Sequence, residues 1–184
     1  AYTMRKSAIK LRKCLRRIGL SESGAASVEF VIVFPFFVGV FLSAFDVAMM
    51  NIRAVMLERA TDTVVRAIRL SSGADLDYDV VMADVCNAAG LIPDCMNTLR
   101  IELVRLNGSN WNGLQHRPDC VARNNPIKPL VKFKNGQQNE MMLIRICAVV
   151  DPIFPGIGVG RTMPKDASGG YQVIATSAFV NEPQ

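Results

Sequence analysis

A long uncharged segment near the N-terminus constrains the fold of this chain more than any other feature. The sixteen positions from Phe30 to Phe45 carry no charged residue, and Glu29 is the single carboxylate between Gly24 and Asp46. A helix from Ala25 to Met50 would be roughly 39 Å long, which is enough to cross a bilayer core of about 30 Å. The sequence therefore predicts a membrane-spanning helix over residues 25–50.

A cleaved secretory signal and a buried core helix both fit the apolar segment less well. A secretory signal has a shorter apolar core and ends in a small-x-small cleavage site. Here the core is longer, and the residues from Asp46 onward are helical in pattern. A buried core helix would rarely leave so long a segment without a charge directly after a basic flank. A single membrane anchor is the prediction.

The basic residues are concentrated before this segment. The chain has a formal net charge of +5, and residues 1–24 contain seven lysines or arginines against one acid, Glu22. Without this leader the chain is close to neutral, so the charge does not indicate a nucleic-acid partner. The positive-inside rule instead predicts a cytoplasmic N-terminus, with residues 51–184 on the outer, periplasmic side of the membrane.

The helix is expected to continue past the membrane to about residue 70, giving roughly 45 residues in all. Apolar or small residues at alternating spacings of three and four residues form a stripe that should pack on the chain's own sheet or on a neighbouring subunit. The stripe comprises Val47, Met50, Ala54, Leu57, Thr61, Val64 and Ile68. The charged residues of this part of the helix, including Arg53, are expected on the remaining surface.

The sequence predicts an α+β outer domain with an antiparallel sheet. A second helix should begin after Asp75 or Asp77 and end at Gly90. Three strands are expected: a half-buried strand around Leu99 to Leu103, then residues 141–150 and 172–180. Residues 107–139 are expected as a surface loop with a short extended piece near 131–133, and residues 151–170 as a second loop. Two helices followed by three strands, without βαβ alternation, predict an antiparallel sheet of three or slightly more strands.

The chain has five cysteines, and their positions limit which disulfides can form. Cys14 lies in the leader, on the side where thiols stay reduced, and the other four lie on the side where disulfides persist. These four are Cys86, Cys95, Cys120 and Cys147. Four cysteines allow three pairings, and the sequence does not choose between them. A Cys86–Cys95 bridge would tie the second helix to the next strand, and a Cys120–Cys147 bridge would attach the long loop to the sheet.

No pattern in the sequence indicates an enzyme, a cofactor or a metal site. The chain has no C-x-x-C pair and a single histidine, His116, so zinc and thiol-redox sites are disfavoured. The glycine-rich segment from Gly156 to Gly160 resembles a phosphate loop only superficially. No Lys-Ser/Thr follows it, and no helix is expected after it. It is interpreted as a flexible surface loop.

The segment Gly24-Ala-Ala-Ser-Val-Glu-Phe30 resembles the cleavage motif of type IV pilin precursors. More closely, the pattern Gly-Ala-x-x-Val-Glu-Phe-x-x-x-x-Pro is similar to that of the TadE-like family of minor pilins or pseudopilins of tight-adherence pili. The resemblance covers about the first 60 residues and implies a type IV pilin-like fold. The four cysteines and the long outer domain exceed what a compact major pilin carries, which favours a minor, priming or tip subunit.

The resemblance also implies a role for each residue of the motif. Gly24 would precede the bond cut by a prepilin peptidase, and Ala25 would become the mature N-terminus. Glu29 and Phe30 would act in assembly, with Glu29 attracting the N-terminal amine of a neighbouring subunit. Two opposite charges attract strongly in a low-dielectric medium, whereas a single charge is penalised. Alternatively, Glu29 lies close enough to the membrane surface to stay hydrated.

Two functional hypotheses follow. The first is a bitopic inner-membrane minor pilin that assembles or primes a tight-adherence pilus for surface attachment. Its partners would be the peptidase, other pilin subunits, the assembly machinery and membrane lipid, and it would enter the extracellular pilus. The second is a single-pass, membrane-anchored periplasmic binding or sensory module in which the glycine–glutamate motif is coincidental.

Overall fold

A computed structural model of the chain describes residues 24–70, 76–106, 117–124 and 132–182. Within these ranges the chain forms four helices and three strands. The helices are α1 (Ala25–Leu70), α2 (Tyr78–Ala89), α3 (Cys95–Thr98) and α4 (Gly158–Thr162), and the strands are β1 (Leu99–Arg105), β2 (Met141–Val150) and β3 (Tyr171–Val180). The leader before Gly24, with Cys14, and the loop residue His116 lie outside the described residues.

Helix α1 runs for 46 residues without interruption and includes Pro35. The prediction of one helix of about 45 residues ending near residue 70 is confirmed. At 1.5 Å per residue, α1 is about 69 Å long, more than twice the thickness of a bilayer core. Its first half is exposed, and its second half packs on the rest of the chain.

The three strands form one antiparallel sheet in the order β1-β2-β3. Ile101 pairs with Ile146, and Ile146 pairs with Ala175, so the three strands place these small and branched side chains on one face. The sheet, the long helix and the short α2 give an α+β architecture with a pilin-like layout, as the sequence predicts. Each strand lies within one or two residues of its predicted position.

The hydrophobic core lies between this sheet face and the two longer helices. Its fully buried side chains come from α1 (Leu57), α2 (Val85), β1 (Leu103) and β2 (Ile144). Burying a side chain of this size stabilises the fold by roughly 1.5–3 kcal/mol. The second half of α1 is thus an integral layer of the outer domain.

Helix α2 has the ends that its sequence predicts. Asp77 is the N-cap, and its carboxylate accepts a hydrogen bond from the backbone N–H of Asp79. Gly90 follows the last residue with φ +56°, and its N–H donates to the carbonyl of Cys86. A positive φ is easy for glycine and strained for other residues, which explains why the helix ends here. The expectation of Asp75 or Asp77 as the cap is met by Asp77.

The prediction that β1 is half-buried is wrong. Arg100 and Glu102 point away from the core, yet both are buried, as is Arg145 on β2. Glu102 and Arg145 are register partners, and Arg145 Nη2 lies 2.6 Å from Glu102 Oε2. Described residues of the connection between β1 and β2 contact this face, since Cys120 is bonded to Cys147 and Lys132 lies 4.0 Å from Glu102.

Two contacts attach that connection to the sheet. A disulfide joins Cys120 to Cys147 of β2, and Leu103 of β1 forms a parallel bridge with Phe133. The bridge matches the short extended piece that the sequence predicts near residues 131–133, where residues 132 and 133 are described. Phe133 also packs edge-on against Tyr78 of α2, with ring centroids 5.4 Å apart.

A second disulfide joins Cys86 of α2 to Cys95 of α3. The predicted outer-domain disulfides are therefore present, and the structure selects one of the three pairings that the sequence leaves open. Helix α3 itself is not predicted. It starts after Asp94, which has φ +48°, and the bridge to α2 holds this single turn in place before β1 begins.

Candidate functional site on the apolar helix

The four predicted site residues of the pilin-type motif lie together at the start of α1. Gly24 is exposed directly before the helix, and a Cβ built on it would meet no other atom within 4 Å. Ala25 is the first helical residue, and Glu29 follows one turn later on the exposed surface. The Phe30 ring stacks on Phe34 with centroids 4.9 Å apart. The motif is accessible to a partner.

The apolar surface of α1 beyond this motif is also exposed. The helix over residues 26–70 contains an apolar window long enough to cross a membrane, and no part of that window is buried against the chain. Its large exposed side chains include Val31, Phe36, Phe37, Val40 and Phe41. An exposed apolar surface of this length is unfavourable in water. Helix α1 is compatible with a membrane anchor.

One side of the exposed helix forms an open groove of about 780 Å³. Small residues line its floor, among them Gly39, Ser43, Ala44 and Ala48, and α4 closes one end with Gly158 and Val159. Small residues four positions apart let another helix approach closely, which is how helices associate in lipid. The groove therefore has the composition of a helix-packing surface.

Asp46 joins the end of the apolar segment to the outer domain. Its carboxylate is 2% exposed, and Oδ1 accepts hydrogen bonds from the backbone N–H groups of Ile153 (3.0 Å) and Phe154 (3.3 Å). Phe154 also packs edge-on against Phe45, with ring centroids 6.2 Å apart. The segment after β2 is thereby held against α1 where the uncharged segment ends.

Two glycines let this segment approach so closely. Gly158 has φ +54°, and a Cβ there would overlap the side chain of Ser43. A Cβ on Gly160 would overlap the carbonyl oxygen of Phe154 and lie 2.7 Å from Asp46 Oδ2. The expectation of a flexible, helix-free surface loop at residues 156–160 is wrong. Glycine is used here because α4 packs directly on the long helix.

Arg53 makes the next connection, two turns further along α1. Its Nη1 donates to the backbone carbonyl of Asp151 (3.1 Å) and to the hydroxyl of Tyr171 at the start of β3 (2.9 Å). Sixteen residues later, Arg69 forms an ion pair of 2.8 Å with Glu182, just after β3. Helix α1 is thus fastened to both ends of the same strand.

Asp151 also pairs with residues 117–124, the described segment that precedes β2 and contains Arg123. Arg123 binds its carboxylate through two hydrogen bonds of 2.6 and 2.9 Å. Hydrogen bonding by the Arg123 guanidinium lowers the pKa of Asp151 below its ordinary value, and the same hydrogen bond raises the pKa of Arg123. Asp151 therefore contacts α1 through its backbone carbonyl, and it contacts residues 117–124 through its side chain.

Asp46 and Arg53 are the residues that the sequence interpretation misses. The predicted stripe places Val47 and Ala54 on the packed face, but Val47 is exposed and Ala54 is half-buried. The buried face instead includes Asp46, Arg53 and Leu57. These positions also follow helical spacing, so a search for periodicity that admitted charged residues would have found them.

The described residues contain no group of three or more His, Cys, Asp or Glu side chains that could hold a metal ion. The outer-domain cysteines are paired in disulfides, and the buried carboxylates of Asp46 and Glu102 contact backbone N–H groups and Arg145, respectively. Chemically, the site offers an apolar surface with one carboxylate near its start and a small-residue groove.

These features define a class of protein: an α+β domain carried on a long apolar N-terminal helix, laid out like a pilin. The family model for TadE-like proteins matches residues 24–66, so the resemblance carried by the motif is confirmed over this segment. The match covers the apolar part of α1 and part of its continuation, less than half of the chain. No curated protein and no solved structure matches the chain.

Proposed function

We propose that this chain is a minor pilin or pseudopilin that assembles or primes a tight-adherence pilus used for surface attachment. The observation that carries the proposal is the exposed start of α1, where Gly24 precedes an accessible apolar helix with a single carboxylate, Glu29. In this proposal the helix first anchors the chain in lipid and then packs against other subunits. The groove lined by Gly39, Ser43 and Ala44 suits that packing.

The proposal assigns a role to each residue of the motif. A prepilin peptidase cuts between Gly24 and Ala25, which frees an amine at the start of α1. The carboxylate of Glu29 in one subunit attracts this amine in the next, because in lipid each charge is costly unless it is paired. Phe30, exposed beside Glu29, contributes apolar contact to the same interface.

The charge distribution supports the proposed topology. Residues 1–24 form the cytoplasmic leader, residues 25–50 span the inner membrane, and residues 51–184 form the periplasmic domain. The two disulfides suit an oxidising compartment, where such bonds persist. After processing, the chain enters the pilus with its partners, which are other pilin subunits and the assembly machinery.

A membrane-anchored binding or sensory module is the alternative. Pockets for small molecules usually have volumes of about 300–1,000 Å³. Two clefts on the outer domain measure about 290 and 160 Å³, whereas the groove of about 780 Å³ lies on the apolar helix. The larger concave surface is thus on the part of the molecule that would face lipid or other helices, which favours an assembly role.

Processing can be tested by mass spectrometry of membranes and sheared pili. Cells with an active prepilin peptidase should yield a peptide that begins at Ala25, and Gly24→Leu should leave the leader attached. Only intact leader in the unmodified chain would contradict the proposal and favour the binding module.

The assembly role of Glu29 can be tested separately. Glu29→Ala should insert into the membrane normally, because it makes the helix more apolar, but it should sharply reduce pilus formation. Glu58→Ala is a matched control, since Glu58 is an exposed glutamate further along α1. Normal piliation in Glu29→Ala would exclude charge pairing at this residue.

A further inference from the structure

We propose that the segment from Ile153 to Lys165, which includes α4, binds the surface of the lipid bilayer as a second membrane contact. This inference rests on the proposed anchoring of α1 in the membrane. It identifies phospholipid, with its anionic head groups, as the partner of a surface that neither the family match nor the pilin-type motif covers.

The position of the segment along α1 is fixed by direct contacts. Asp46 accepts hydrogen bonds from Ile153 and Phe154, and Gly158 touches Ser43. Ser43 lies inside the uncharged segment, and Asp46 is the first charged residue after it. The segment is therefore held at the level on α1 where the hydrocarbon core would end.

The segment exposes large apolar side chains at this level. Ile157 is 47% exposed and Ile153 is 38% exposed, and Phe45 on the adjacent helix is 44% exposed. Single exposed apolar residues are common on protein surfaces. These residues differ because they adjoin the apolar surface of α1, so together they form one continuous surface at the membrane boundary.

The charge of the segment fits an anionic surface. Between Asp151 and Asp166 the sequence contains Arg161 and Lys165 and no acidic residue. Arg161 is exposed on α4, and Lys165 donates to the carbonyl of Pro155 at 3.2 Å, which keeps its charge beside the apolar residues. Apolar side chains flanked by basic ones characterise segments that lie in the interface of a bilayer.

The test uses tryptophan as a depth probe in the full-length chain. Trp111 is the sole native tryptophan, so Trp111→Phe provides a silent background. Single probes are then introduced as Ile157→Trp, Val180→Trp and Phe37→Trp. Val180 is the matched control, because it is 44% exposed but lies two residues from Glu182, which pairs with the far end of α1 at Arg69.

Each chain is reconstituted in phosphatidylethanolamine–phosphatidylglycerol vesicles whose acyl chains carry bromine close to the glycerol for the probes at 157 and 180, and midway along the chain for the probe at 37. Quenching by bromine reports contact with lipid, and quenching by acrylamide reports exposure to water. The probe at 157 should be quenched several-fold more by brominated lipid than the probe at 180, which should respond mainly to acrylamide.

The outcomes separate this inference from the proposed function. If the probe at 37 is quenched by lipid but the probe at 157 behaves like that at 180, α1 is anchored and the second contact does not exist. If the probe at 157 is shielded from both quenchers, a protein covers the surface and the lipid assignment is wrong. If the probe at 37 is not quenched by lipid, the anchoring itself fails.

The head-group part of the proposal has its own control. Replacing phosphatidylglycerol by phosphatidylcholine should reduce lipid quenching at position 157. The same reduction should appear in anionic vesicles when Arg161→Gln and Lys165→Gln are combined. Equal quenching in all three conditions would exclude a contribution from anionic head groups.

Discussion

Glu102 and Arg145 lie opposite each other on β1 and β2, and their charged groups are 2.6 Å apart with less than a tenth of either side chain exposed. A buried pair of this kind is costly to break, because removing one partner takes away the shortest ion-pair contact of the other, while the more distant Lys132 Nζ lies 4.0 Å from Glu102 Oε1. We expect Glu102→Leu or Arg145→Met alone to lower the free energy of unfolding by about 3–5 kcal/mol. Denaturant unfolding of the full chain in detergent micelles would measure this.

The double variant Glu102→Leu with Arg145→Met should recover most of this loss, since two apolar side chains can replace a buried ion pair at little cost. Additive losses in the double variant would mean that the two residues act through separate partners.

The two disulfides should differ in their contribution to stability. In the chain-entropy model a bridge spanning 27 residues contributes more than one spanning 9 residues, about 3.5 against 2.5 kcal/mol. Replacing Cys120 and Cys147 by alanine should therefore lower the unfolding midpoint more than replacing Cys86 and Cys95. Cys14→Ala, in the leader, is the control and should leave the midpoint unchanged. A reversed order would show that local strain outweighs loop length.

The ion pair between Arg123 and Asp151 should make stability depend on acid pH. Because Arg123 lowers the pKa of Asp151 in the folded chain, ionised Asp151 stabilises the fold. This contribution is complete above the ordinary pKa of 3.8 and is lost as the pH falls through the lower folded value.

Asp151 is 63% exposed, so screening by solvent keeps the effect below about 1 kcal/mol. Asp151→Asn retains the backbone carbonyl that Arg53 binds. It should flatten the part of the stability profile that lies below the ordinary pKa of 3.8. Asp84→Asn, at an exposed site on α2, should keep the wild-type profile. Identical profiles for all three chains would show that the pair contributes nothing.

Gly158→Ala should weaken the attachment of α4 to α1. The new methyl group would overlap Ser43, and φ +54° is strained for alanine, so a loss of about 1–3 kcal/mol is expected. Gly156→Ala is the matched control, because a Cβ there meets no atom within 4 Å. Hydrogen exchange at the Ile153 and Phe154 amides would report the change.

Adding Ser43→Gly to Gly158→Ala should restore part of the protection by removing the overlap while leaving the backbone strain. Equal protection in Gly156→Ala and Gly158→Ala would contradict the close packing of α4.

The elements with strong local signals could be predicted from the sequence. The uncharged segment and its helical continuation predict α1 closely, and Asp77 and Gly90 mark both ends of α2. Strands β2 and β3 are found because most of their ten residues are apolar or β-branched. In each case the information lies within the element itself.

Features that depend on contacts distant in sequence have weaker local signals. Asp46 and Arg53 look like solvent-facing charges, but they form hydrogen bonds with residues about a hundred positions away. Glu102 looks exposed in the sequence, because apolar and charged residues alternate along β1. The same alternation occurs in a strand that is buried on one face and in a strand that is covered on both faces. Helix α4 is short and rich in glycine, and its helical form depends on packing against α1.

The double fastening of α1 to β3 has a mechanical consequence. Arg53 and Arg69 hold the two ends of β3 against about 24 Å of the helix, so the strand and helix run side by side and no hinge separates them. A pull along the axis of α1 would therefore load the ten register pairs between β3 and β2 in shear, all at once. The outer domain and the second half of α1 should therefore move together as one rigid body.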